Sequence, residues 1–223
     1  MPIRTLLSLV LTSIGVAFAF RESAAGTASL WVAISVPYAL LALLALHQMW
    51  IEGTLVDKLT PRWGDLSIGA VSMIVLLFAS WAARRVLSPA GSPRQAWLFH
   101  IYLQLGNTEH LQRSTLYTLL ILLICVAEEL VWRGMVLGEL TERFGRRAAL
   151  PLSALAYGLS LAPTLYLLRD PVAGYNPLLV SAAVGCGLVW SFLAAQLGRL
   201  PPVAISHMAF TYFWIVQFRL PGM

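Results

Sequence analysis

Continuous apolar runs constrain this chain more than any other feature. They lie at about Thr5–Phe20, Leu30–Trp50, Leu66–Trp81, Ser114–Leu137, Ala148–Leu168, Pro177–Leu197 and Val203–Phe218. A run of ~20 apolar residues is what a helix needs to cross a bilayer. Only helices and closed β-barrels satisfy their backbone groups in lipid. A barrel would require alternation with a period of two in segments of ~10 residues, and these runs do not alternate. The expected fold is therefore all-α, a polytopic transmembrane bundle of about seven spans. Composition agrees. Of 223 residues, 59% are hydrophobic and 11% charged, against about 25% charged in a soluble domain, and the mean hydropathy is +0.77.

The charges that remain punctuate the runs. The net charge is +5, but the basic residues stand singly or in pairs between spans. Nucleic-acid binding would need them clustered on one polar face, so the expected partner is the lipid bilayer and no nucleic acid. Lys58 is the sole lysine beside fourteen arginines, a bias of GC-rich bacterial genomes, so the expected location is a bacterial cell membrane. For seven spans the basic residues divide seven to seven between the two sides, and the positive-inside rule gives no orientation. The cluster Arg143, Arg146 and Arg147 favours its own side as cytoplasmic.

Residues 1–25 resemble a signal peptide but are expected to stay as a first span. Trp31, Trp50, Trp63, Trp81 and Tyr166 fall near span ends, as interfacial anchors do. Cys125 and Cys186 sit inside apolar runs and read as small buried residues. The segment Trp97–Tyr102 reads as a short interfacial or re-entrant helix. It separates a three-span part, residues 1–113, from a four-span part, residues 114–223.

Glu128 and Glu129 follow the run Leu119–Ala127 directly. A charge at bilayer depth costs at least ~2.5 kcal/mol on insertion scales, so two adjacent carboxylates require compensation. Arg133, four residues after Glu129, shares its helix face and can hold it ionised. Glu128 lies about 100° around the helix and is free to act as a general base on water. His207 is the other ionisable residue in an apolar run, with Thr211 one turn later on the same face. Two hydrogen-bond donors aimed at one point are what an oxyanion hole requires. There is no His-Glu-x-x-His and no Cys/His cluster with zinc spacing, so neither a metal nor another cofactor is expected.

The stretch Glu128-Glu129-Leu130-Val131-Trp132-Arg133-Gly134 resembles the first motif of the CAAX-processing and bacteriocin-processing membrane proteases (CPBP, Abi-type). That resemblance implies that Glu128 is the catalytic base, that Glu129 and Arg133 support it, and that His207 and Thr211 stabilise the oxyanion. Tyr157 and Trp132 are expected to contact substrate. The family's second motif is Phe-x-x-x-His, and here Tyr157 and Leu161 occupy those places. Its third is His-x-x-x-Asn, with Thr211 in place of the Asn. Leucine cannot accept or relay a proton, so His47, within the second span, is the first substitute to consider, and His100 the next if its segment dips into the membrane; His110 stands in too polar a context.

The expected function is that of an intramembrane glutamic endopeptidase cutting a membrane-associated protein or peptide near its C-terminal anchor. The alternative is a catalytically silent relative acting as a membrane binding or accessory subunit. A transporter would show pseudo-symmetric halves or broken helices, and the sequence has neither.

Overall fold

The computed structural model describes residues 2–217. Its elements are α1 (Ile3–Ala19), α2 (Ala28–Ile51), α3 (Leu55–Leu59), α4 (Asp65–Leu87), α5 (Gln95–Leu105), α6 (Thr108–Arg113), α7 (Thr115–Glu129), α8 (Leu137–Phe144), α9 (Arg146–Ser160), α10 (Pro163–Leu167), α11 (Leu178–Leu197) and α12 (Pro201–Tyr212). Two π-helical segments, Leu130–Val136 and Phe213–Gln217, continue α7 and α12. The described residues hold no strand beyond an isolated bridge between Asp170 and Gly174.

Among the described residues, four stretches are long and apolar enough to cross a membrane: α2, α4, the α9–α10 stretch Arg146–Leu167, and α11. The other three expected spans differ for identifiable reasons. α1 is apolar but has 17 residues. The expected spans Ser114–Leu137 and Val203–Phe218 both change from α to π winding partway, at Leu130 and at Phe213. Phe218, at the end of the last expected span, and Arg219 lie outside the described residues.

Tertiary contacts tie the first 113 residues to the rest. α4 packs along α12, and α2 packs on α7 and on the π-helical segment that follows it. α1 lies between α2 and α9. Pro37 lacks the N–H that would bond the Ala33 carbonyl. Gly15 lets α1 approach that point, where an added Cβ would sit 2.7 Å from Pro37 Cγ and 2.8 Å from the Ala33 oxygen. The α1 N-terminus is capped from a distance: Glu139 of α8 accepts from Arg4 N, Thr5 N and Thr5 Oγ1 at 3.1, 2.8 and 2.6 Å. This satisfies orphan donors of the first turn and places a carboxylate at the positive end of the helix dipole. Asp65, at the start of α4, accepts on Oδ1 from Arg199 Nη2 and Nε at 2.6 and 3.0 Å. This pair fixes the loop before α12.

Helix association in lipid rests on close packing rather than on water exclusion. α9 and α11 meet through small residues: Gly158 faces Val184, and Gly187 faces Ala154. Three other small residues of α11, Ser181, Ala182 and Gly185, line a cavity instead. Trp50, Trp63, Trp81 and Tyr166 are exposed, as anchors should be. Trp31 is not an anchor: it is 5% exposed and packs against Tyr117. Cys125 and Cys186 are buried free thiols. Residues 95–105 form the expected short helix, α5.

Candidate active site

The π-helical segment after Glu129 is the structural centre of the site. All seven of its residues, Leu130–Val136, are buried. A π turn disturbs the i→i−4 ladder and is often found at functional positions. Its carbonyls then need other donors. Lys58 Nζ reaches Gly134 O at 3.2 Å, and Ser153 Oγ reaches Trp132 O at 3.3 Å. Gly134 leaves room for the Met49 side chain, so α2 sits tight against the turn.

The two glutamates have different surroundings. Glu129 is 1% exposed. Its Oε1 accepts from Arg133 Nη1 at 3.1 Å and meets His207 Nδ1 at 2.6 Å. The Arg133 guanidinium lies over the Tyr157 ring at 4.8 Å and the Trp190 ring at 5.4 Å. Ring faces thus cover its Nε and Nη2, which are buried without a hydrogen-bond acceptor. Glu128 meets the edge of this cluster from the cavity side. Its side chain keeps 15% exposure, its Oε2 accepts from the Tyr157 hydroxyl at 2.6 Å, and His207 Nε2 stands 3.6 Å from that oxygen.

His207 is held on three sides. Its ring stacks on Trp190 at 4.0 Å and 24°. Trp190 Nε1 donates to Ser206 Oγ at 3.1 Å, and Ser206 donates to Ser72 of α4 at 3.1 Å. In the tautomer that gives Nδ1–H to Glu129, Nε2 is left as an acceptor. It faces Glu128 across a gap too long for a direct hydrogen bond.

Glu128, Tyr157, His207, Thr211 and Leu161 open on one cavity of about 550 Å³ with almost wholly apolar walls. Thr211 lies against Cys125 there. Trp132 is not at the cavity wall. It is fully buried behind it, its Nε1 donating to the Tyr38 hydroxyl at 3.2 Å and its ring 5.5 Å from that of Tyr157. Trp132, expected to contact substrate, is fully buried and supports the wall from behind.

None of the histidines considered as substitutes for Leu161 lines this cavity. His47 is exposed beside Trp50, His110 is exposed with its ring edge on Tyr117, and His100 pairs with Asp170 at 3.3 Å. The group that sequence reasoning missed is Tyr38 of α2, whose ring lies in the wall of the same cavity. A tyrosine in an apolar span carries no spacing signal that would have pointed to it.

Residues 111–213 match a family model described as type II CAAX prenyl endopeptidase, Rce1-like. The match takes in Glu128, Glu129, Arg133, Tyr157, His207 and Thr211. No curated protein and no solved structure matches the chain. The spanning helices and the family match together make this an integral membrane protein. Over residues 111–213, somewhat less than half of its length, the chain is similar to the Rce1-like family of type II CAAX prenyl endopeptidases.

Proposed function

We propose that this chain is an intramembrane glutamic endopeptidase, hydrolysing a peptide bond of a membrane-associated protein or peptide near its C-terminal anchor. One observation carries the reading. Glu128 is the carboxylate at the wall of an apolar cavity, while its neighbour Glu129 is already held by Arg133 and His207. An acid left available beside an imidazole Nε2 at bilayer depth has a cost that packing alone does not require.

In this reading, water enters the gap between Glu128 and His207 Nε2. Glu128 takes a proton as the water oxygen bonds to the scissile carbonyl carbon, and the carbonyl electron pair moves onto its oxygen. Collapse breaks the C–N bond, and the proton passes from Glu128 to the leaving nitrogen. His207 takes the place left by Leu161. It holds the water through Nε2, with its tautomer set by Glu129. Tyr157 fixes the Glu128 carboxylate, and Thr211 offers a hydroxyl to the oxyanion. The apolar cavity wall suits a substrate segment that resides in lipid.

Counting α1, the α7–α8 rod and α12 as crossings gives seven spans. Residues 1–113 then form an N-terminal transmembrane part packed on a protease-like core in 114–223, and we read the arginine bias as that of a bacterial cell-membrane protein.

The test is proteolysis by purified protein in liposomes, on a library of membrane peptides with varied C-terminal anchors. Wild type is compared with Glu128→Gln and His207→Ala. Cleavage that both variants abolish, with peptide binding retained, supports the reading. No cleavage by wild type, with peptide still bound, would make the protein a silent binding relative.

A further inference from the structure

The geometry just described leaves the oxyanion short of donors. In the tautomer of the proteolytic reading, His207 gives Nδ1–H to Glu129 and turns Nε2 toward Glu128. Tyr157 gives its proton to Glu128. Leu161 has none to give. Thr211 alone would remain, whereas hydrolysis of an amide in a water-poor site depends strongly on preorganised donors.

Tyr38 supplies what is missing. It lies on α2, next to Pro37, and is 3% exposed, with its side chain in the wall of the cavity that holds Glu128. Its oxygen already accepts a hydrogen bond, from Trp132 Nε1 at 3.2 Å. A phenol that is accepting in this way keeps its own proton to donate. The Ser160 hydroxyl lies in its surroundings, and Glu128 and Arg133 are the charges that act on it. Ser160 is in turn committed as a donor, to Tyr157 O at 2.6 Å. Trp132 is fully buried on the π-helical segment itself. The position of the Tyr38 oxygen is thus set from the same turn that sets Glu129 and Arg133.

We propose that Tyr38 is a catalytic residue of this site, its hydroxyl donating to the oxyanion formed when water adds to the scissile carbonyl. This rests on the proteolytic reading. The bond changes are those already given. Tyr38 loses no proton, and its O–H turns to the carbonyl oxygen as negative charge develops there. It follows that α2, outside the segment matching the family model, completes the active site.

The experiment uses full-length protein in liposomes with a library peptide that wild type cleaves. Three forms are compared: wild type, Tyr38→Phe, and wild type with 2,3,5-trifluorotyrosine at position 38. Loss of one oxyanion donor lowers kcat about 100- to 1,000-fold, so Tyr38→Phe should show that loss with KM changed less than about threefold. A phosphonamidate analogue of the peptide, which mimics the tetrahedral anion, should bind Tyr38→Phe about 100-fold more weakly, while the parent peptide binds equally well. The fluorinated side chain keeps the shape and the bond from Trp132 but is more acidic. It should move the alkaline limb of the kcat profile to lower pH.

A structural role would leave that limb in place and would weaken analogue and peptide alike. Either result overturns the proposal, as does a Tyr38→Phe enzyme within about threefold of wild type in kcat. If Glu128→Gln abolishes cleavage while Tyr38→Phe does not, this inference fails and the proteolytic reading stands. If wild type cleaves nothing, the reading fails first.

Discussion

Glu128 and Glu129 are neighbours in sequence and occupy opposite kinds of surroundings. Behind the helix, Glu129, Arg133, His207 and Trp190 form a closed cluster in which a carboxylate, a guanidinium and two rings cover one another. In front, Glu128 meets one phenol and an open apolar cavity. The difference teaches how a membrane helix can carry two carboxylates. One is held through Oε1 by a guanidinium and an imidazole, with its Oε2 buried and unpartnered, and that imidazole faces the other. Depth in the bilayer is the same for both; partner number separates a structural acid from an available one.

The sharpest way to break this contrast is to remove each charge alone. Glu128→Gln should lower the cleavage rate at least about 1,000-fold, near the upper range for loss of a general base, with thermal stability little changed. Glu129→Gln should lower both together, because Arg133 is then a buried cation without its carboxylate. The reaction of Cys125 and Cys186 with a thiol-reactive dye during heating reads unfolding directly, since both are buried in the folded protein. If the two variants behaved alike in that assay, the division between closed and open acid would be wrong.

Next in size is Arg133→Met. Taking one partner from a buried ion pair typically costs about 3–5 kcal/mol. His207 remains on Glu129 Oε1, which points to the lower end of that range. The melting temperature in the thiol assay checks it. A smaller push on the same cluster comes from Gly187→Ala. The new methyl would lie 3.2 Å from Arg133 Nη2 and 3.3 Å from Ala154 Cα. Backbone cannot yield there as a side-chain tip can, and overpacking of this kind costs about 1–3 kcal/mol. Gly185→Ala on the same helix meets nothing within 4 Å and should leave stability unchanged.

Much of this arrangement was legible in the sequence. The Glu129–Arg133 pair follows from a spacing of four on a helix, and the position of Glu128 off that face follows from the same geometry. His207 stood out because a histidine in an apolar run is costly. Its partner did not, because the bond to Glu129 joins residues 78 apart, and periodicity says nothing about which helix faces which. The sequence suggested that His207 and Thr211 aim together at an oxyanion, whereas the fold gives one imidazole nitrogen to Glu129. The π-helical turns were equally hidden: Leu130–Val136 has the composition of an ordinary buried helix, and only the donors from Lys58 and Ser153 reveal the altered ladder. Trp31 misled for a simple reason. An aromatic near a span end is an anchor when it faces lipid and a core residue when it faces Tyr117, and one-dimensional position does not separate the two.

The contrast between a held and an available carboxylate extends outside the membrane spans, where it predicts a smaller, pH-dependent effect. Asp170, in the loop between α10 and α11, accepts from Val172 N and Ala173 N, both at 2.8 Å, and meets His100 at 3.3 Å. The backbone donors of Ala173 and Val172, and the neighbouring His100, hold its carboxyl below the usual carboxylate range. A carboxyl that is more acidic in the folded loop than in the open one stabilises the loop only while ionised. That contribution is fully present above the ordinary carboxylate range, about pH 4. It is lost as the pH falls through the lower folded value. Hydrogen exchange at the Val172 and Ala173 amides should therefore show constant protection from neutral pH to about pH 4.5, once corrected for the intrinsic exchange rate, and declining protection below. In Asp170→Asn the decline should vanish, because an amide oxygen accepts at every pH. Protection that fell equally in both proteins would assign the loop's order to the helices that flank it and not to this carboxylate.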